Sequence, residues 1–223
     1  MKTAFAALCA SALVGTAAHA DVSVGIDEST ANWFGFMNVF ELDGVTPAFS
    51  SGWGVADLNV SFDDGAGTMT FGPNTIGDPD PYWYQGGGGP GAPGNKVMEA
   101  NLYQQVDDGS FAGQNVTFSG NVASFSLTSA HEAIVFIRDF AADFSSFTET
   151  TADIDASGAF SISHATDGDI ARHVQWGVQV KGVNVWATDT APFGTAVFNT
   201  IPAPGAMALM GLGGLVASRR RRA

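Results

Sequence analysis

Paired aspartates recur in the turns of this chain, and their carboxylates are its first candidate chemistry. Calcium binds six to eight oxygen ligands, which closely spaced turn carboxylates and neighbouring backbone carbonyls can supply. None of the pairs has EF-hand spacing, and aspartate is also a good turn former. Both a structural calcium site and purely structural turns therefore remain open. The candidate ligands are Asp63, Asp64, Asp78, Asp80, Asp107, Asp108, Asp167 and Asp169.

An aromatic triplet is the second candidate. Tyr82, Trp83 and Tyr84 are consecutive within a long Gly/Pro-rich segment, residues 73–95. Aromatic faces stack on the apolar faces of sugar rings, and three consecutive rings in a polar loop cannot all point inward. The pattern therefore predicts an exposed sugar-binding patch. In the alternative interpretation, the loop folds over the end of a sheet and these rings hold it there.

Sugar hydroxyls would also need hydrogen-bonding partners. We expect them from polar side chains that follow the aromatic loop, namely Asn95, Glu99 and Asn101. Arg138 and His173 could line the same sheet if its register brings them together. These residues and the aromatic triplet make up the predicted ligand site.

Motifs of the common enzyme classes are absent from the sequence. There is no Gly-x-Ser-x-Gly element and no HExxH pair, and the GGGG run at 86–89 lacks the Lys-Ser/Thr of a phosphate-binding loop. The ExDxxE strand motif of laminarinase-type hydrolases is missing as well. We therefore predict a protein that is not an enzyme, and keep a glycan hydrolase or lyase as a third alternative.

The candidate residues must be positioned by regular secondary structure, and the sequence predicts that this consists of short strands. Alternation of apolar and polar residues over 172–180 places Val174, Trp176, Val178 and Val180 on one face. Residues 116–122 and 160–162 repeat the pattern, and the apolar run 133–137 reads as a central strand. About ten strands predict an all-β, jelly-roll-like antiparallel sandwich. The other predicted strands cover 33–42, 57–62, 68–71, 96–104, 183–186 and 195–198.

Charge excludes one class of partner. All 22 acidic residues lie between the two ends of the chain, where only four Lys or Arg occur, which gives that region a net charge of −18. Nucleic acid binding depends on clustered cations, so we exclude it. The single cysteine, Cys9, lies in the N-terminal apolar run, so the domain contains neither a disulfide nor a reactive thiol.

Both ends carry export signals. Lys2, the apolar run 4–14 and the small-x-small residues Ala18 to Ala20 predict a signal peptide over 1–20. The domain then spans 21–200. The tail, 201–223, combines a Pro-Ala-Pro element, an uncharged apolar segment at 206–217 that predicts a short helix, and Arg219–Arg222. Basic residues stay on the cytoplasmic side of a membrane, so this tail predicts a transient membrane anchor with the domain outside.

Two resemblances extend this interpretation. The sequence IPAPGAMALMGLGGLVASRRRRA resembles the PEP-CTERM sorting tail of Gram-negative bacteria, with Ala203 where the motif usually has Glu. This resemblance implies processing by an exosortase-like enzyme and delivery to the cell surface or extracellular matrix. Segments such as GPNTIGDPDPYWYQ and RHVQWGVQVKGVNVWATD are similar to a recurrent exported bacterial β-module, which implies a non-catalytic accessory role.

Together these features predict an exported, non-catalytic protein of the cell surface or extracellular matrix that binds polysaccharide. The alternative is a structural or adhesive matrix protein whose partner is another protein. An exposed aromatic groove would favour the polysaccharide binder, and a sealed aromatic loop would favour the structural protein.

Overall fold

The computed structural model describes residues 21–201, which form twelve strands and two short 3-10 helices. The helices are η1, Val55–Leu58, and η2, Ala191–Phe193. The strands are β1 Asp21–Val24, β2 Phe34–Phe40, β3 Pro47–Trp53, β4 Val60–Asp63, β5 Thr68–Phe71, β6 Val97–Val106, β7 Asn115–Phe125, β8 His131–Phe140, β9 Phe147–Asp153, β10 Gly158–Ala165, β11 His173–Val183 and β12 Ala196–Asn199.

The strands form two six-stranded sheets. One, the antiparallel sheet, has the order β3-β2-β6-β11-β8-β9, and all its neighbouring strands are antiparallel. The other, the mixed sheet, has the order β1-β7-β12-β5-β4, with β10 also paired to β7. In the mixed sheet β1 runs parallel to β7, which differs from the wholly antiparallel pairing expected from the sequence.

The core lies between the two sheets. Alternate residues of the central strands point into it, as the period of two along a strand requires. Val174, Trp176, Val178 and Val180 of β11 are all buried, as the alternation at 172–180 predicts. The largest side chains with almost no exposed surface include Tyr84, Phe71, Phe118, Phe198, Met37, Met69, Met98 and Leu102. The prediction of an all-β sandwich is confirmed.

The sequence located most strands but missed β1, β3 and β9. β3 and β9 lie at the two edges of the antiparallel sheet, where a strand has only one partner and buries little surface. β3 begins at Pro47, a residue that edge strands tolerate, and β9 is mostly polar. The strand predicted at 183–186 does not form separately, because β11 runs on to Val183 and Val185 makes an isolated bridge to Thr75.

The predicted signal peptide and C-terminal helix lie outside the described residues, as does the rest of the tail after Ile201. Within the described part of the chain, no helix has the length and apolar character needed to cross a membrane.

Candidate functional site

A groove of about 370 Å³ lies on the outer face of the antiparallel sheet. Its lining residues come from five neighbouring strands and from the turn between β8 and β9, and they divide into rings and polar groups. The rings are Phe36, Tyr103, Phe140, Phe144 and Phe147, and the polar side chains are Asn38, Glu99, Asn101, Arg138 and Gln175. We call this set the groove.

Strand parity explains why these side chains face outward. On β6, Met98, Ala100 and Leu102 point into the core, so the alternate residues Glu99, Asn101 and Tyr103 point away from it. Phe36 pairs with Asn101, and Asn38 pairs with Glu99, across the β2–β6 ladder. Antiparallel pairing therefore places residues far apart in sequence side by side on the outer face.

Arg138 is the polar centre of the groove. Its guanidinium donates to Glu149 Oε2 at 3.0 Å, Asn101 Oδ1 at 2.7 Å and Gln179 Oε1 at 2.9 Å. It also lies over the ring of Phe136, 4.0 Å from the ring centroid. A guanidinium has five N–H donors, so two have no hydrogen-bond partner in the described residues while the other three fix the group in place.

A second polar pair lies beside Arg138. Asn38 donates to Glu99 Oε1 at 2.8 Å, and Lys181 Nζ lies 3.5 Å from Glu99 Oε2. Burial, the largest cause, and the charge of Asp107 raise the pKa of Tyr103 above its ordinary value, although Arg138 lowers it. The Tyr103 hydroxyl therefore keeps its proton over the physiological range and can both donate and accept a hydrogen bond.

Phe144 forms one rim of the groove in an unusual conformation. It lies in the turn between β8 and β9 with φ +56°, a region that bulky residues rarely adopt, and half of its surface is exposed. Its ring stacks on His173 with centroids 4.2 Å apart. A strained backbone that holds an apolar ring in solvent is typical of a functional position.

His173 packs against the ring of Phe144 and is itself held by two polar contacts, and we call this arrangement the clamp. Its Nδ1 lies 2.6 Å from Asp107 Oδ1 and its Nε2 lies 3.2 Å from the Ala142 carbonyl oxygen. Burial lowers the pKa of His173, but the two hydrogen bonds and the charge of Asp107 outweigh this effect and raise the pKa above its ordinary value. With an acceptor facing each nitrogen, the protonated ring fits this position best.

We expect this clamp to give a pH-dependent contribution to stability. The raised pKa means that the contribution is complete below the unfolded value of about 6.5 and is lost as pH rises through the folded value. His173→Gln should therefore lower the melting temperature most at acidic pH, with a difference from the wild type that shrinks at alkaline pH. Melting curves on either side of about pH 6.5 would measure it.

His164→Gln is the matched control for this experiment, because the pKa of His164 is shifted in the opposite direction. Burial, the largest cause, lowers the pKa of His164, so its stabilising contribution is lost as pH falls rather than as it rises. A His173→Gln effect that is the same at every pH would show that the clamp does not depend on protonation.

The structure brings together only part of the predicted ligand site. Glu99, Asn101 and Arg138 line the groove, and His173 supports its rim through Phe144. Asn95 does not line it, because its side-chain amide donates to the carbonyl oxygens of Pro81 and Tyr82 within the aromatic loop.

The aromatic triplet is not an exposed platform. Tyr84 is completely buried, and its hydroxyl donates to the Ile76 carbonyl oxygen at 2.6 Å. Trp83 is partly buried against the core and packs edge-on to Phe49, with centroids 6.0 Å apart. Tyr82 alone is exposed, with Lys96 Nζ 4.4 Å from its ring centroid. The prediction that the Tyr84 ring is exposed is wrong, because this ring is fully buried and holds the loop against the core.

The eight aspartates predicted as calcium ligands all accept hydrogen bonds within the protein. Six accept from a backbone N–H two or three residues further along the chain, as turn-forming aspartates do: Asp63, Asp78, Asp80, Asp108, Asp167 and Asp169. Asp64 accepts from Ser29, and Asp107 accepts from Gln105 and His173. In residues 21–201 no three His, Cys, Asp or Glu side chains form a group suited to a metal ion.

Calcium binding stays a prediction that one measurement decides. A site specific to the folded state would stabilise the protein by about 2.7 kcal/mol at a hundredfold excess of calcium over its Kd. Melting curves in chelator and in excess calcium should then differ clearly. Superimposable curves would leave the aspartates with their turn-forming role alone.

Several groove residues were not recognised from the sequence, namely Phe36, Asn38, Tyr103, Phe140, Phe144, Phe147 and Gln175. One signal for them is present in β2, where Phe34 and Phe36 have the opposite parity to the buried Met37 and Val39. Apolar residues on both faces of a strand indicate that the face turned away from the core also carries an apolar surface, which can mark an interaction site.

Fold and groove together define a β-sandwich with an aromatic-lined groove on one sheet. No family model and no curated protein matches the chain. A solved structure that it resembles contains the CBM22-1 and GH10 modules of Clostridium thermocellum endo-1,4-β-D-xylanase 10B complexed with xylohexaose. The match has 10% identity and a TM-score of 0.28, and covers 65% of this chain and 28% of that chain. A TM-score this low supports no conclusion about ligand or activity.

Proposed function

We propose that this protein is a non-catalytic β-sandwich of jelly-roll type that binds polysaccharide through the groove. The observation that carries the proposal is the composition of the groove, in which five aromatic rings surround fixed amide, carboxylate and guanidinium groups. Rings of this kind stack on the apolar faces of sugars, and the polar groups can bond their hydroxyls. Binding sites usually combine an apolar lining with a few well-placed polar groups in this way.

The extent of the groove favours a chain-like ligand over a small molecule. Its lining residues lie on β2, β6, β11, β8 and β9, which are successive neighbours in the sheet. Strands are spaced about 4.8 Å apart, so these five span roughly 19 Å. An extended segment of several sugar units fits such a surface better than a single sugar does.

The carboxylates support binding without hydrolysis. Within the described residues, Glu99 is the single carboxylate that lines the groove, and it is paired with Asn38 and Lys181. The neighbouring carboxylate of Glu149 is paired with Arg138. Glycosidases generally need two carboxylates that flank the scissile bond. This composition therefore favours a binding protein over a glycan hydrolase.

A polysaccharide-binding screen tests the proposal. The purified protein would be applied to a glycan array and then to soluble polysaccharides in native affinity gels. Binding to at least one glycan, without loss of chain length in the polysaccharide, is the expected result. Failure to bind any glycan would favour the matrix protein with a protein partner, and shortened or unsaturated products would favour a hydrolase or lyase.

We further propose that the protein is exported, anchored transiently through its tail and sorted by an exosortase-like enzyme to the cell surface or matrix. The signal-peptide pattern, the apolar segment and Arg219–Arg222 support this. N-terminal sequencing of extracellular protein should find Asp21 first, and deletion of the four arginines should misplace the protein. An intact Met1 outside the cell, or unchanged display of the deletion variant, would contradict these two steps.

A further inference from the structure

We infer that the groove is selective for electrically neutral polysaccharides and excludes acidic ones such as polyuronates and sulfated glycans. The inference rests on the proposed function and adds the charge class of the ligand. It follows from how the cations of the described residues are paired.

The cation in the groove is already neutralised. Arg138 and Glu149 form an ion pair at 3.0 Å, in which the Arg138 side chain is only 13% exposed. The same guanidinium donates to Asn101 and Gln179, so its direction is fixed by three partners. An acidic sugar would have to compete with Glu149 for this charge, whereas a neutral hydroxyl needs only one of the two remaining N–H donors.

The other charge in the groove is negative and also compensated. Glu99 lies 3.5 Å from Lys181, whose ammonium group lies over the ring of Phe40 at 4.8 Å from the centroid. A carboxylate or sulfate that entered the groove would meet the Glu99 carboxylate at short range. Like charges at such distances disfavour binding.

No cation elsewhere in residues 21–201 is left without a counter-charge. Lys96 pairs with Glu41 at 2.9 Å, and Arg172 pairs with the buried Asp139 at 2.8 Å. With four cations against 22 carboxylates, this region carries a net charge of −18. Its long-range field therefore repels polyanions before they reach the groove.

The test uses matched polysaccharides that differ only in charge. Neutral glucans, mannans and galactans with free primary hydroxyls would each be compared with the same polymer oxidised at those hydroxyls to carboxylates, by calorimetry with the purified protein. We expect the bound neutral polymer to lose at least tenfold in affinity on oxidation. Binding of the neutral polymer should be unchanged at about 1 M salt, where the Debye length is about 3 Å and ionic attraction is screened.

Two charge variants make the test specific to the groove. Glu149→Gln removes the counter-charge of Arg138 but keeps a side-chain oxygen that can accept from its Nε, so the guanidinium stays oriented. The variant should improve affinity for the oxidised polymer about fivefold, with little change for the neutral one. Glu41→Gln is the matched control, because it frees Lys96, which does not line the groove, and should leave both affinities unchanged.

The outcomes separate the inference from the proposed function. Equal or tighter binding of the acidic polymers by the wild type would overturn the charge selectivity and leave polysaccharide binding intact. Absence of binding to every polymer, neutral and acidic, would overturn the proposed function and the inference with it.

Discussion

Replacement of Tyr84 with alanine is expected to destabilise the protein by about 3–5 kcal/mol, the range for removal of a large buried aromatic side chain. Tyr84 has no exposed surface and packs edge-on against Trp186 with ring centroids 5.2 Å apart. Its hydroxyl accepts from the Ile76 amide and donates towards the carbonyl oxygens of Ile76 and Val185. Denaturant unfolding followed by tryptophan fluorescence would measure the loss.

Two variants of the same loop separate the contributions of Tyr84. Tyr84→Phe keeps the ring and removes the hydroxyl, so it should cost about 1–3 kcal/mol for the buried groups left without a partner. Tyr82→Ala removes an exposed ring and should cost less than about 1 kcal/mol. Since neither residue lines the groove, glycan affinity should stay unchanged in both. Weakened binding in a folded Tyr82 variant would bring this loop back into the site.

Replacement of Phe144 with glycine should weaken glycan binding by about 2 kcal/mol, close to thirtyfold, without a comparable loss of stability. The ring is half exposed and lines the groove, so its face is accessible for stacking on a sugar ring. Glycine adopts a φ of +56° freely, so relief of the backbone strain offsets the packing lost against His173 and Phe140. Calorimetric titration and a melting curve on the same sample would measure both effects.

Tyr82→Ala is the matched control for Phe144→Gly, because Tyr82 is a similarly exposed ring outside the groove. Tyr103→Ala gives a second test within the groove and should lose affinity to a similar degree. A Phe144 variant that binds as tightly as the wild type would show that the strained turn has a structural role and that the ring does not contact the ligand.

The aromatic loop shows where local reasoning fails. Three consecutive aromatics in a polar, Gly/Pro-rich segment predict exposure, because a loop seldom offers enough apolar surface to bury them. In the structure the loop obtains that surface from elsewhere, since the Tyr84 ring packs on Trp186. Asn184, 1% exposed, also holds the loop, because it accepts from the amides of Asn95 and Lys96 and donates to the Trp83 carbonyl oxygen. These partners lie about 90 to 100 residues further along the chain than the loop residues they contact, and no local sequence pattern reveals a contact over such a separation.

The ligand residues predicted on β6 illustrate the opposite case. Glu99 and Asn101 were assigned from their position after the loop, and the strand parity that places them outward is a local property. Arg138 was predicted to belong to the site only if the strand register brought it next to these residues. The register does so, since the Arg138 guanidinium donates to Asn101 Oδ1 at 2.7 Å. The ladder between β11 and its two neighbours, β6 and β8, brings these residues to one surface.

The sequence by itself determined the period of two, the side of β11 that faces the core, and the acidic charge of the domain, because these depend on residues within one strand or on composition alone. Only the tertiary structure decided which outward-facing residues meet. The sheet places β6 beside β2, and β11 between β6 and β8, although these strands are not consecutive in the chain. Phe36, Tyr103 and Phe144 therefore line one groove, although more than a hundred residues separate the first from the last. The alternation of apolar and polar residues specifies which face of a strand points to the core, but it does not specify the neighbouring strand. Strand partners and register depend on packing across the whole sheet.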